Sequence, residues 1–389
     1  MSDWQQYKLG SICEVGDGAH AKVKRQNSGI LYLTSKNLGP GYLKLNNVDY
    51  ISEEDYKKLF QESSRAISRL ISGDILIGII GTFGNAYLYK ENDRFGISSS
   101  VGIIRPDKAI LNPRFLYYLV TGEDFKNTHD AYKGGSVQGY TNIPTIKSLP
   151  ISIPPLPEQK AIASVLSSLD DKIDLLHRQN KTLEAIAETL FRQWFIEEAQ
   201  ADWEEGNLGN EFDFTMGQSP SGSSFNEEGI GVPMFQGNAD FGFRFPDERV
   251  YTTEPTRFAK QFDTLISVRA PVGAQNMAHK ECCIGRGVAA FRYKRNSHFY
   301  TYTYFKLRSL MEDIKKFNDE GTVFGSISKS DFEVLAVTIP PNELIEKYEQ
   351  EVSPVNDKVI ANCEQIRTLE KLRDTLLPKL MSGEVRVAS

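Results

Sequence analysis

Histidine and cysteine patterns are where catalytic or metal chemistry would show in this chain of 389 residues. The five histidines stand singly, which is more typical of structural or solvent-facing side chains than of a metal site or a general base. They are His20, His129, His177, His279 and His298. The four cysteines form no C-x-x-C pair, so we expect buried, reduced thiols. Neither residue type predicts a catalytic or metal site.

Motifs of common enzymes are also missing from the sequence. An amino-methyltransferase would need Asn or Asp before a Pro-Pro-aromatic run, whereas both Pro-Pro pairs here follow an isoleucine, Ile153 or Ile339. No segment has the G-x-x-x-x-G-K-[ST] spacing of a phosphate-binding loop. We therefore expect a chain with no catalytic centre and no cofactor of its own.

Electrostatic binding is the chemistry that the composition leaves open. The formal net charge of −6 argues mildly against a nucleic-acid ligand. The charge is uneven, however, because residues 244–295 hold ten Lys and Arg against five Asp and Glu. A local basic face can exist on an acidic chain.

The length and composition indicate a folded, multidomain protein. Hydrophobic residues make up 40% of the chain and charged residues 25%, and the length suggests two to four structural units. No apolar run reaches about 18 residues, and the first residues lack a signal-peptide pattern. We expect a cytoplasmic protein with no membrane partner.

The elements that position any binding groups are organised as an internal repeat. Ile153–Pro155 recurs as Ile339–Pro341, 186 positions later, and this offset relates a stretch of helical sequence as well. Nearer the start of each half, Asp3-Trp4 recurs as Asp202-Trp203 with an offset of 199. Each half is therefore predicted to be a variable globular domain followed by a better-preserved helix.

Both predicted helices carry a heptad seam. Apolar residues follow spacings of four and three in alternation, the 3.5-residue period of a coiled coil. The main seam residues are Ile162, Leu166, Leu169, Ile173, Leu176, Asn180, Leu183, Leu190, Val352, Val355, Val359, Asn362, Ile366, Leu369, Leu376 and Leu380. A lone seam asparagine in each helix is typical of a residue that fixes register. We predict an antiparallel pair, because a globular domain lies between the helices; two unrelated core helices are the alternative.

The two globular domains mix strand and helix patterns. Short β-branched or aromatic runs with glycine-rich breaks predict strands, and longer periodic stretches predict helices. The strand-like runs are Ile30–Leu33, Ile75–Ile80, Val101–Ile104, Leu265–Val268 and Val288–Phe291, and the helical stretches are Glu53–Leu59, Pro113–Thr121 and Phe299–Phe317. The predicted fold class is α+β.

Several motifs resemble those of one protein family over essentially the whole chain. The motifs are Met216–Pro220 (MGQSP), Pro233–Gly242 (PMFQGNADFG), Val268–Gly273 (VRAPVG), Cys282–Gly287 (CCIGRG), Ile153–Gln159 (IPPLPEQ) and Leu377–Glu384 (LPKLMSGE). Together they resemble the target-recognition and conserved-region motifs of the specificity subunits of type I restriction–modification systems, the HsdS family. The first half departs from the pattern, with Gly16–His20 and Gly78–Gly84 in the matching places.

The resemblance implies two α/β target-recognition domains joined by two long helices that form an antiparallel coiled coil, a pseudo-two-fold repeat. Its implied division is recognition domain 1 at 1–155, central helix at 156–200, recognition domain 2 at 201–341 and distal helix at 342–389. It further implies a non-catalytic subunit that binds double-stranded DNA, two modification (methyltransferase) subunits and restriction (translocase-nuclease) subunits. S-adenosylmethionine, ATP and Mg are then expected on those partners. Unlike loops in the two halves imply an asymmetric, two-part target.

Side-chain chemistry selects candidate DNA contacts within that resemblance. Arg and Lys bind phosphates and guanine, Asn and Gln suit adenine, and Ser and Thr suit either. In the second domain the candidates are Gln218, Ser219, Gln236, Asn238, Arg269, Arg286, Thr322, Ser326 and Ser328. In the first domain they are His20, Lys22, Lys36, Asn37, Thr82, Asn85, Ser98, Ser99, Lys133, Gln138 and Tyr140. Arg269 and Arg286 stand out for their small neighbours, with an internal salt bridge as the alternative.

The helices also predict a spacing and a partner surface. From Ile162 to Trp194 the seam runs roughly 48 Å at about 1.5 Å per residue, which predicts half-site centres about 10–14 base pairs apart. Ile186, Phe191 and Phe195 lie off the seam, so the outer face of the helices is either a partner surface or an ordinary solvated face. Two other functions are possible: a protein-binding scaffold without DNA reading, which the polar loops disfavour, and a nuclease or methyltransferase, which the missing motifs disfavour.

Overall fold

The structure is a computed structural model that describes residues 4–63, 65–81, 83–132, 141–319 and 326–387. It divides into two compact units, residues 1–173 with 368–389, and residues 174–367. Each unit contains one globular domain and a part of both long helices. Because these units cut through the helices, the four-part division at 155, 200 and 341 stays a prediction. Among the residues that the structure describes, no helix combines the length and the hydrophobicity that a membrane span requires.

The first unit follows the predicted α+β order. Its elements are β1 (Gln5–Lys8), α1 (Leu9–Ile12), β2 (Cys13–Asp17), β3 (Ile30–Leu33), β4 (Asp49–Ile51), α2 (Glu53–Tyr56), β5 (Ile75–Gly78), β6 (Ala86–Leu88), β7 (Gly96–Ile97), β8 (Val101–Pro106), α3 (Pro113–Thr121), α4 (Glu123–Tyr132), α5 (Ile143–Ser148), β9 (Pro150–Ile153) and the first part of α6 (Leu156–Arg192). The sheets run in the orders β2-β8-β5-β6, β4-β3-β7 and β1-β9.

The second unit repeats this plan. Its elements are β10 (Glu204–Asn207), α7 (Leu208–Glu211), β11 (Phe212–Met216), β12 (Phe225–Asn226), β13 (Val232–Phe235), β14 (Tyr251–Thr252), β15 (Phe258–Ala259), β16 (Thr264–Ser267), β17 (Gln275–Met277), β18 (Cys282–Ile284), β19 (Val288–Tyr293), α8 (Tyr300–Ser309), α9 (Met311–Asp319), α10 (Lys329–Val334), β20 (Ala336–Ile339) and most of α11 (Asn342–Met381). The order β11-β19-β16-β17 matches β2-β8-β5-β6 strand for strand.

The repeat explains why the sequence offset changes along the chain. From β4 to β5 the chain advances 24 positions, between Ile51 and Ile75, whereas the equivalent step from Thr252 to Thr264 takes 12. The extra residues of the first domain form α2 and a π-helical turn at Lys57–Gln61. Most of the shift between the offsets of 199 and 186 is therefore one insertion.

The central strands are continuously apolar because the sheet is covered on both faces. In β5, Ile75 and Ile77 belong to the cluster that includes α3, while Leu76 belongs to the cluster on the opposite face. The same alternation holds in β8, where Ile104 and Ile103 face opposite clusters. Successive strand residues point to opposite faces, so burial of both faces requires an unbroken apolar run.

The two long helices pack antiparallel, as predicted from the globular domain that lies between them in the sequence. In the second unit, Asn362 Nδ2 donates to Asn180 Oδ1 at 2.8 Å, and seven residues further along α6 the Ala187 carbonyl accepts from Tyr348 at 3.1 Å. In the first unit, Leu166 and Leu380 share one apolar cluster. Along the seam Ile162, Leu166, Ile173, Leu176, Asn180, Val352, Val359, Asn362, Ile366 and Leu380 are buried, and Leu169, Leu183, Leu190, Val355, Leu369 and Leu376 are half-buried.

Replacing one seam asparagine should destabilise the helix pair. Asn362→Leu leaves the buried side-chain oxygen Oδ1 of Asn180 without the donor that lies 2.8 Å from it. We therefore expect a loss of about 1–3 kcal/mol in unfolding free energy. The double replacement of Asn180 and Asn362 by leucine removes both polar groups and should restore stability to the wild-type level or above. Urea unfolding followed by circular dichroism measures both. A single variant as stable as the wild type would contradict a structural role for the pair.

Two expectations about the second domain are corrected by the structure. The single helical stretch predicted for Phe299–Phe317 is two helices, α8 and α9, which are separated at Leu310. The basic excess of residues 244–295 does not form one free face, because several of its cations are paired with acids inside the unit. These pairs are Arg244–Glu184, Arg249–Asp240, Lys280–Glu248 and Arg292–Asp263.

A buried carboxylate of α11 caps helix α8. The side chain of Glu349 accepts hydrogen bonds from the backbone N–H groups of Thr301 at 3.1 Å and Tyr302 at 2.8 Å. Burial raises the pKa of Glu349 from 4.5 to about 7, and the nearby Asp357 adds to the shift. The folded protein therefore holds a proton on Glu349 over a pH range in which the unfolded chain has released it.

This carboxylate predicts a loss of stability as pH rises. Between pH 4.5 and about 7 the folded state binds the proton and the unfolded state does not, so unfolding free energy falls with increasing pH, by up to about 3 kcal/mol across that window. Glu349→Gln should flatten this decline, because the amide does not titrate. Urea midpoints of both proteins at several pH values between 4.5 and 8 test this. Parallel pH profiles would contradict the assignment.

Candidate nucleic-acid interface

Loops that follow four strands of the second domain, taken from two of its sheets, meet at one surface, here called the loop edge. They follow β11, β13, β16 and β18, and carry Gln218 and Ser219, Gln236 and Asn238, Arg269, and Arg286. Backbone hydrogen bonds tie them together: Gly217 N to Val288 O (2.9 Å), Gln218 N to Ile284 O (3.0 Å), Gly285 N to Phe235 O (2.8 Å) and Val268 N to Gly287 O (2.9 Å). Residues between Gln218 and Arg286 that are far apart in sequence therefore form one surface.

Glycine is required where these loops touch. A Cβ atom on Gly287 would lie 2.1 Å from the carbonyl oxygen of Gln236, and one on Gly217 would lie 2.1 Å from that of Gly285. Such distances leave no room for a side chain. The close backbone approach brings the neighbouring side chains of Gln218, Gln236 and Arg286 to the same edge.

Arg269 and Arg286 are exposed on this edge. Neither guanidinium lies within ion-pair distance of a carboxylate among the described residues, in contrast to the paired Arg292. The backbone N–H of Arg286 donates to Ser219 Oγ at 3.2 Å, which joins two of the loops. The salt-bridge alternative is therefore not seen for either arginine in the ranges described.

Two further candidates of the second domain differ in role. Ser326 is exposed and forms a backbone bridge with Arg269, which places it beside the same edge. Ser328 instead caps α10: its Oγ accepts from the N–H of Asp331 at 3.3 Å while the Asp331 carboxylate accepts from its N–H at 2.7 Å. The structure thus assigns Ser328 to a helix cap. Thr322 lies outside the described residues.

The first domain builds the same edge with different side chains. The equivalent backbone bonds are Gly18 N to Val101 O (3.1 Å), Ala19 N to Ile97 O (2.9 Å), Ser98 N to Leu33 O (2.9 Å) and Ile79 N to Ser100 O (3.1 Å). His20 therefore takes the place of Ser219, and Ser99 that of Arg286. Lys22 and Lys36 are exposed nearby in sequence, and Ser98 is half-buried with its Oγ 2.7 Å from Ser100 Oγ.

Not every candidate of the first domain is free to bind a ligand. Asn37 is buried, and its amide donates to the carbonyl oxygens of Lys44 at 3.1 Å and Asn47 at 3.0 Å, so its assignment to adenine reading is corrected to a structural one. Asn85 is half-buried and donates to Leu38 O at 3.2 Å. Thr82, Lys133, Gln138 and Tyr140 lie outside the described residues.

Arg65 is a residue at this edge that sequence reasoning missed. It donates to Asp17 Oδ1 at 2.6 Å, and Asp17 also contacts His20 Nε2 at 2.8 Å. Arg65 belongs to the insertion between β4 and β5, which has no counterpart in the second half. No spacing in the sequence relates it to Asp17, 48 positions away.

Among the described residues no group of three or more His, Cys, Asp and Glu could hold a metal ion.

Comparison with known proteins places the chain in a family. Residues 1–185 and 200–361 match the family described as Type I restriction modification DNA specificity domain. A Methanocaldococcus jannaschii protein provisionally named type I restriction enzyme MjaX specificity subunit is 31% identical over 99% of this chain and 94% of its own. The HindI specificity subunit of Haemophilus influenzae is 23% identical over 99% of this chain and 100% of its own.

A solved structure supports the fold. The crystal structure of the type I restriction–modification system S subunit from M. genitalium is similar with a TM-score of 0.63, at 20% identity over 97% of this chain and 96% of that one. The family match falls twice on the chain, on the first globular domain and again on the second. This chain belongs to the family of type I restriction–modification specificity subunits, whose role is DNA sequence recognition.

Proposed function

We propose that this chain reads a two-part, asymmetric duplex DNA target for a type I restriction–modification enzyme, one half-site with each recognition domain. One observation carries the proposal: the loops after equivalent strands converge at one edge in both domains, and they display unlike side chains. Ser219 and Arg286 stand in the second domain where His20 and Ser99 stand in the first. Different side chains at equivalent positions of the two domains support recognition of two different half-site sequences.

The exposed groups suit the edges of base pairs and the phosphates beside them. An exposed guanidinium such as that of Arg286 can bond O6 and N7 of guanine together, and the Gln236 amide can do the same with N6 and N7 of adenine. Exposed lysines such as Lys22 and Lys36 suit phosphates, which fix register without reading sequence. The first domain thus combines candidate base readers with cationic positioning groups.

The proposal includes partners that supply the chemistry. Two modification subunits would hold S-adenosylmethionine, and restriction subunits would hold ATP and Mg, while this chain stays non-catalytic. The partner surface on the helices is smaller than the sequence suggested: Ile186 is exposed, whereas Phe191 and Phe195 are buried against Tyr348. The half-site spacing of about 10–14 base pairs stays a prediction.

Methylation mapping tests this function. The chain is co-expressed with the modification subunit of its own system in a host that lacks other adenine methylation, and modified adenines are mapped by single-molecule sequencing. We expect one recurrent motif with two unlike halves, absent when this chain is omitted. A purified, assembled complex that methylates no recurrent motif would overturn DNA reading and favour the protein scaffold.

A further inference from the structure

Ile80 places an apolar side chain at the loop edge of the first domain. It follows β5, the residue is 46% exposed, and it belongs to none of the hydrophobic clusters formed by the described residues. The N–H of its neighbour Ile79 donates to Ser100 O at 3.1 Å, as that of Val268 donates to Gly287 O at 2.9 Å. Ile80 therefore occupies the position that Arg269 occupies in the second domain.

The loop that carries Ile80 is held in place on both sides. The carbonyl oxygen of Ile79 accepts from Thr141 N at 2.9 Å. On the other side the ring of Phe83 stacks on His129, with 3.6 Å between ring centroids, and the His129 Nε2 is 2.6 Å from Thr141 Oγ1. The fold thus fixes the backbone around Ile80 while about half of the residue stays exposed.

An isoleucine at this place cannot form hydrogen bonds, so it reads a different feature of DNA from an arginine. The C5-methyl group of thymine is the apolar feature that base pairs present in the major groove. We propose that Ile80 is a specificity-determining residue that contacts a thymine methyl in the half-site of the first domain. This inference rests on the proposed function, since it requires that the loop edge faces DNA.

The experiment removes one methyl group at a time from the DNA. The complex of the full chain with its modification subunits is bound to a synthetic duplex that carries the mapped motif, and each thymine is replaced in turn by deoxyuridine. Affinities are measured by fluorescence anisotropy at one fixed salt concentration, because phosphate contacts make affinity depend on salt. The half-site of the first domain is identified by elimination, because Arg286→Ala alters recognition of the half-site that the second domain contacts.

For the wild type we expect one thymine of this half-site at which uracil weakens binding about three- to tenfold. Ile80→Ala should weaken binding to the normal duplex by a similar factor and should no longer distinguish uracil from thymine there. Ile71→Ala is the matched control: Ile71 is 45% exposed but precedes β5, at the opposite end of the strand from Ile80. This control should bind and discriminate as the wild type does.

Three results would overturn the inference while leaving the proposed function intact. They are a half-site without thymine, a wild type indifferent to every uracil, and an Ile80→Ala variant that discriminates as well as the wild type. A side chain wedged between base pairs would instead raise the fluorescence of a neighbouring 2-aminopurine, and that result also contradicts methyl reading. Failure of the proposed function is distinct, because no recurrent motif would then be found.

Discussion

Arg286→Ala should weaken binding of the assembled complex to its target duplex by about 1–3 kcal/mol, or roughly 5- to 150-fold. The guanidinium is exposed at the edge where the loops after β11, β13 and β18 meet, and no carboxylate among the described residues neutralises it. Its loss should also relax the motif at one or two positions of a single half-site. Arg286→Lys keeps the charge but cannot form the bidentate pair with a base. Compared with Arg286→Ala, it should recover more of the DNA affinity than of the discrimination between base pairs.

Arg295→Ala is the matched control for this variant. Arg286 precedes β19 and Arg295 follows it, so both changes remove one exposed arginine from opposite ends of the same strand. The control should keep the wild-type motif and lose little affinity. Equal losses for the two variants would mean that Arg286 acts only through net charge, and an unchanged motif in Arg286→Ala would contradict base reading.

Arg244→Met should destabilise the second unit by about 3 kcal/mol or more. The Arg244 side chain is fully buried, donates to Asn356 Oδ1 at 2.8 Å and to Glu184 Oε1 at 3.1 Å, and lies 4.0 Å from the centroid of the Tyr304 ring. Methionine fills much of the volume of the arginine side chain but donates no hydrogen bond to Asn356 Oδ1 or to Glu184 Oε1. Arg308, 2.9 Å from the same carboxylate, limits the loss.

An exposed arginine on α6 serves as the control that separates the effect of burial from that of charge. Arg178 is 70% exposed and pairs with Asp174 at 3.0 Å, so Arg178→Met should cost less than about 1 kcal/mol. Thermal unfolding of the full chain in complex with its modification subunits compares the two variants. Similar unfolding temperatures for both would show that the buried network does not hold the recognition domain on the helices.

Repetition and periodicity made the architecture predictable. The heptads of α6 and α11 are local in sequence, so the buried positions of Leu166 and Val359 could be named from spacing alone. The apolar runs of β5 and β8 predicted strands, because burial on both faces leaves no polar alternation. The register of the helix pair could not be predicted, because the bond between Asn180 and Asn362 depends on where two distant helices meet.

The candidate site was predictable only in part, because exposure and local bonding decide which polar side chains are free. Asn37 and Ser328 have the right chemistry for DNA, but short-range hydrogen bonds use them within the fold. Arg244 counted toward a basic face and is instead buried. Ile80 was counted only within a strand-like run, because an isoleucine becomes a candidate reader only when structure shows it exposed among binding loops.

Exchange of one recognition domain for the other tests most directly whether each domain reads its own half-site. Residues 204–339 are replaced by residues 5–153; both segments begin and end on paired strands, Glu204 with Ile339 and Gln5 with Ile153. Methylation mapping of the resulting complex should give a motif with two copies of the first domain's half-site. A motif that keeps the half-site sensitive to Arg286 would contradict reading by the second domain.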